Sequence, residues 1–133
     1  MGSAKLFSLI VAFGLLFSCA FVPGTQTSAP TEIKALIELK SGGFSISPND
    51  SVDYGTISTT ATKSLTFSIE NPGWQDLELT GGSTVDISDT TYFSLALSPS
   101  SIVEKQKTTT FTILFDPAGV AGVKTTTVTI LNS

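Results

Sequence analysis

Ser64-Leu65-Thr66-Phe67-Ser68-Ile69-Glu70, closed by Asn71-Pro72-Gly73, is the stretch that decides the fold class. Leu65, Phe67 and Ile69 alternate with Thr66, Ser68 and Glu70. Successive side chains of a strand point to opposite faces, so this period of two puts the apolar residues inward and the hydroxyls outward. Pro72 fixes φ and Gly73 allows the chain to reverse, which ends the strand in a turn.

The same pattern recurs along the chain. In Thr109 to Phe115, Phe111, Ile113 and Phe115 form one face, with Thr110 and Thr112 opposite. In Lys124 to Leu131, Val128 and Ile130 alternate with Thr127 and Thr129. Shorter strands are expected at Phe44-Ser45-Ile46, Ser51 to Tyr54, Leu77 to Thr80, Thr84 to Ile87, Phe93 to Leu97 and Ser101 to Val103. Ile33 to Leu39 has the length of a short helix, but its neighbours argue for a strand. Turn chemistry separates these pieces at Ser41-Gly42-Gly43, Pro48-Asn49-Asp50, Gly81-Gly82, Ser98-Pro99-Ser100 and Asp116-Pro117. Seven to nine short strands at this spacing predict an all-β sandwich or barrel. Tyr54 is expected to turn its ring inward, with Gly55 at positive φ. Threonine on the outward positions suits a pleated surface that meets water.

Residues 1–20 have a different layout. Lys5 precedes an apolar run from Leu6 to Phe17, which ends in Ser18-Cys19-Ala20. That is the arrangement of a secretory signal peptide. The run to Val22 is broken by Ser8, Gly14, Ser18 and Cys19, and it is at the short limit for a membrane-spanning helix. Leu16-Phe17-Ser18-Cys19 resembles a bacterial lipobox, with Phe17 departing from the usual small or β-branched residue. The resemblance implies a leader of residues 1–18 and a lipidated Cys19. The rival is ordinary cleavage after Ala20, at Ser18-x-Ala20, which removes the single Cys of the chain. Acyl chains on Cys19 would anchor the protein to a membrane. Residues 19–32 hold two prolines, a glycine and several hydroxyls, and read as a flexible tether. The body is then 33–133.

Composition narrows the function. Seven Lys plus Arg, all of them Lys, stand against eleven Asp plus Glu in 133 residues, a net charge of −4. An acidic chain without Arg does not suit a nucleic-acid groove. There is no His, the commonest general base, and one Cys supports neither a disulfide framework nor a multi-thiolate metal site. Charged residues make up 14% of the chain against about 25% in an ordinary soluble domain, and Ser and Thr fill the difference.

Five segments together carry a family resemblance: Asp53-Tyr54-Gly55-Thr56-Ile57, Ser64 to Gly73, Leu77-Glu78-Leu79, Thr110 to Pro117, and Gly122 with Thr125 to Ile130. Their order and spacing resemble the bacterial choice-of-anchor D domain, a relative of the ASH and Hydin-type domains. The resemblance spans about Ile33 to Asn132. It implies an immunoglobulin-like Greek-key sandwich on secreted or anchored bacterial proteins, and it implies no catalytic residues.

Other chemistries fit less well. Asp53-Tyr54-Gly55 looks like the metal-binding tripeptide of kinases, but the rest of the kinase machinery is missing. Paired carboxylates for glycoside hydrolysis would need more sugar-binding aromatics than one Trp and two Tyr. The serines lack a partner base. Asn49-Asp50-Ser51 fits a glycosylation sequon, which matters only in a eukaryotic secretory route. Asp76, Glu78, Asp86 and Asp89 are the weak alternative for a Ca²⁺ site; without a D-x-D-x-D-G loop, solvated acids are the expectation. Trp74, on the turn after Pro72-Gly73, is expected to fold back as a cap on the core, or else to stand out as an anchor for a partner.

The sequence thus predicts a non-enzymatic, exported protein without a cofactor. It would be held at the outer membrane or cell surface by lipidated Cys19 and present an immunoglobulin-like domain to a protein or glycan. The alternative is a structural or assembly component of a periplasmic or envelope complex.

Overall fold

The computed structural model describes residues 34–133, together with the backbone of two earlier strands, β1 (Ser3–Ala4) and β2 (Leu9–Phe13). The expected cleavage sites, Cys19 and the tether lie outside the described residues. From residue 34 onward there are ten strands and no helix: β3 (Glu38–Ser41), β4 (Phe44–Ile46), β5 (Ile57–Ser58), β6 (Lys63–Glu70), β7 (Leu77–Thr80), β8 (Asp86–Ile87), β9 (Phe93–Leu97), β10 (Ile102–Val103), β11 (Thr108–Phe115) and β12 (Thr126–Asn132).

They form an all-β, sandwich-like fold of two antiparallel sheets. Sheet I has the order β4-β3-β6-β11-β9. Its centre is the β6–β11 ladder, eight residues in unbroken register from Thr108↔Glu70 to Phe115↔Lys63. Sheet II has β10-β7-β12, with β8 also on β12. The first strands attach to this frame through the backbone. β2 runs parallel to β12, with Leu9 opposite Thr126 and Phe13 opposite Ile130, while β1 pairs with β5.

Alternation builds the core as the sequence predicts. Phe67 and Ile69 of β6, Phe111, Ile113 and Phe115 of β11, and Val128 and Ile130 of β12 are buried. Phe67 and Phe111 face each other across the ladder and stack at 5.0 Å between ring centroids. On the opposite face, Thr66 and Thr112 are paired and their hydroxyls are 2.9 Å apart. Tyr54 is buried. Its ring meets Phe93 and Phe115 edge-on, and its hydroxyl donates to the Ile113 carbonyl at 3.2 Å. Burial raises its pKa well above the usual tyrosine value. Gly55 has the expected positive φ, 73°.

Three expected strands are displaced. Ile33–Leu39 gives way to β3 at Glu38–Ser41, because the backbone of residues 34–36 bonds to the turn after β6 instead of to a strand. Ser51–Tyr54 is irregular, and the ladder resumes only at β5; Asp53 Oδ1 accepts the Gly55 N–H at 2.7 Å in a local turn that competes with strand pairing. Thr84–Ile87 shrinks to β8, where Ser88 and Thr127 exchange hydrogen bonds beside a two-residue ladder.

Candidate functional site

Asn71 closes β6 and is 1% exposed. An amide side chain has two donors and an acceptor oxygen with two lone pairs, and here all are used. Its Nδ2 donates to the Gln75 carbonyl at 2.7 Å and to the Val103 carbonyl at 2.9 Å. Its Oδ1 accepts the Gly73 N–H at 3.0 Å and the Leu36 N–H at 3.2 Å. One side chain therefore ties together the end of β6, the turn, β10 and the segment before β3. Its own backbone N–H donates to the Lys107 carbonyl at 2.9 Å.

Gly73 completes the arrangement by its lack of a side chain. A Cβ there would collide with the Lys34 carbonyl oxygen and lie 2.7 Å from the Leu36 nitrogen. Sequence reasoning assigned this glycine to chain reversal, but its φ is not among the positive values; close backbone approach is what requires it. Gln106, at φ 59°, donates its Nε2 to the Pro72 carbonyl at 2.5 Å and to the Gly73 carbonyl at 3.0 Å. The turn is held from both sides.

Trp74 stands on this fixed turn. Its backbone N–H donates to the Lys34 carbonyl at 3.0 Å, while the residue as a whole is 62% exposed. The expected cap on the core is thus not formed. Leu36, bonded to the same Asn71 oxygen, is 43% exposed. Of this cluster the sequence revealed only the turn and the Trp; the four-bond role of Asn71 depends on contacts 35 and 32 positions away.

The four acids do not converge. Asp76 Oδ1 accepts the Lys105 N–H at 3.0 Å, and Asp89 Oδ1 accepts the Thr91 N–H at 2.8 Å. Glu78 is exposed on β7 and Asp86 on β8. Among the described residues no three metal-ligating side chains gather as an ion would require.

Two open depressions lie among the described residues. One, of about 250 Å³, is lined by Ile37, Leu39, Ser45, Ile46 and Pro48 at the β3–β4 edge. The other, of about 310 Å³, lies beside Ser100, Val103, Lys107 and Thr109. Neither includes Trp74 or any of the four acids. On sheet I, Lys40 bridges Glu70 at 2.7 Å and Glu38 at 3.7 Å; the hydrogen bond to Glu70 raises the lysine pKa.

In comparisons with known proteins, no family model matches the chain and no curated protein matches its sequence.

Proposed function

We propose that this is a non-enzymatic, lipid-anchored envelope protein whose immunoglobulin-like domain binds a protein partner through the turn that carries Trp74. The observation that carries the reading is an exposed indole on a turn with almost no freedom left. Asn71, Gly73 and Gln106 hold the main chain on both sides of Trp74. A turn whose main chain is already fixed loses less entropy on binding, and Trp is among the residue types enriched as energetic anchors of interfaces. Leu36 adds apolar area on the neighbouring segment. The leader and Cys19 in its lipobox-like setting supply export and anchoring in this reading, and the choice-of-anchor D resemblance agrees with it.

A photoreactive amino acid at position 74 in intact cells tests the interface, with the same residue at Thr110, on the sheet I face, as control. A discrete adduct from 74 and none from 110 is the expected result. Equal labelling from both positions overturns the interface. Protease treatment of intact and lysed cells then separates a surface module from an internal component: loss of the body from intact cells supports presentation outward, and survival until lysis supports the assembly role.

A further inference from the structure

Five strands border the two sheets if β2 is set aside, and four of them are blunted. β4 has three residues between Gly42-Gly43 and Pro48, β9 runs into Ser98-Pro99, and β8 and β10 have only two residues each. Short length and proline are the usual means by which an edge avoids taking up another strand. β12 has neither. Thr126-Thr127-Val128-Thr129-Ile130-Leu131-Asn132 contains no charge, no proline and no glycine, and five of its seven residues are β-branched. It is the one border built to pair.

The hydrogen-bonding groups of β12 divide by position. The Thr127 N–H donates to Ser88 Oγ and the Thr127 carbonyl accepts the Ser88 N–H, both at 2.9 Å, so the odd positions look toward β8 and β7. Alternation then turns the main-chain groups of Thr126, Val128 and Ile130 to the other side, and that is the side where Leu9–Phe13 runs parallel over five residues. The sequence of that segment, Leu-Ile-Val-Ala-Phe, is wholly apolar. β2 ends opposite Ile130; the Nδ2 of Asn132, two residues on, is buried without a hydrogen-bond partner among the described residues.

We propose that the outer edge of β12 is a strand-accepting site for an extended apolar segment in parallel orientation. Leu9–Phe13 of the chain itself is the occupant while attached, and a peptide of the same chemistry takes its place once the leader is removed. Main-chain bonds to Thr126, Val128 and Ile130 provide the attraction, as in strand addition generally. Only the unmasking by leader removal rests on the proposed function; the site itself is separate from Trp74.

Amide hydrogen exchange on the full chain tests this, read at Val128 and Ile130 against Thr127 and Thr129. In the wild type all four are expected to be protected. In a Val11→Pro/Ala12→Pro variant, which removes ladder donors whichever parity faces β12, Val128 and Ile130 should exchange about 100-fold faster while Thr127 and Thr129 keep their protection. A synthetic peptide carrying residues 9–13 between lysine tails should restore it, and the same peptide with Val11→Asp should not. A spin label on the peptide's N-terminal end should broaden Thr126 before Ile130. If the variant instead unfolds altogether, the peptide is expected to recover the fold. Unchanged Val128 and Ile130 in the variant, a peptide without effect, or broadening at Ile130 first overturns the proposal.

Discussion

Sheet I and sheet II are held by different means. In sheet I an eight-residue ladder joins β6 to β11, with Phe67 stacked on Phe111 and Leu39 opposite Ile69 on the next strand. In sheet II, apart from the five-residue pairing of β2 with β12, the pairings run for only two residues, Ile102–Val103 against Glu78 and Leu77, and Leu131–Asn132 against Thr80 and Leu79. Single polar side chains make up the difference. Asn71 reaches β10, and Thr126, 4% exposed, accepts the Asp89 N–H through Oγ1 at 3.0 Å beside β8. The contrast separates two ways of satisfying buried backbone. One is repetitive, with each bond replaceable by its neighbours. The other places several otherwise orphaned groups on one residue, so that each such residue matters more than its size suggests.

The largest loss is expected in the first region. Phe111→Ala removes a fully buried ring from the centre of the core and should cost about 4 kcal/mol in urea unfolding. Asn71→Ala then measures the second region. It strands the Leu36 and Gly73 N–H groups and the Gln75 and Val103 carbonyls, for about 3 kcal/mol. If Asn71→Ala were nearly neutral, sheet II would not depend on its clamps and the contrast would fail. Gly73→Ala sharpens the same point without deleting a bond. The added methyl meets backbone, which yields little, and a cost of about 2 kcal/mol is expected.

This division also explains what could be read from the sequence. Period-two alternation is a local property, so β6, β11 and β12 and their buried faces are legible in Ser64–Glu70, Thr109–Phe115 and Lys124–Leu131. β4, β7 and β9 follow from turns on either side. Asn71 is not legible in this way, because two of its four side-chain partners lie far off at 36 and 103 and nothing near it in sequence marks it as buried. The Trp74 orientation fails for the same reason. A sandwich this small favours a cap on one end of its core, yet Trp74 is left exposed. Ser51–Tyr54 shows the other limit: its apolar residues fit a strand, yet the Asp53 turn and the inward Tyr54 ring fix an irregular path.

Tyr54 gives a smaller effect with a distinct pH signature. Tyr54→Phe loses the bond to the Ile113 carbonyl, about 1 kcal/mol at neutral pH. The fold raises the phenol pKa, so the neutral form is favoured in the native state. Stability from this source is complete below the unfolded value of about 10 and falls as pH rises beyond it, by about 1.4 kcal/mol per pH unit. The wild type should therefore lose stability more steeply than Tyr54→Phe in alkaline urea titrations above about pH 10. Parallel curves would mean that the phenol ionises without opening the core.

Trp74→Ala should have the smallest effect on folding. A side chain on a residue 62% exposed, attached to a turn whose main chain is held by other residues, contributes little to the native state; a change within about 0.5 kcal/mol is expected. That near-neutrality is informative because Asn71, three residues earlier, is expected to be so costly. If Trp74→Ala destabilised the domain as Asn71→Ala does, the indole would belong to the clamp and its exposure would have a structural explanation. A neutral result for Trp74→Ala, together with a discrete adduct from the photoreactive residue at position 74, separates the two roles: the turn is rigid for the sake of the fold, and the indole it displays is left for a partner.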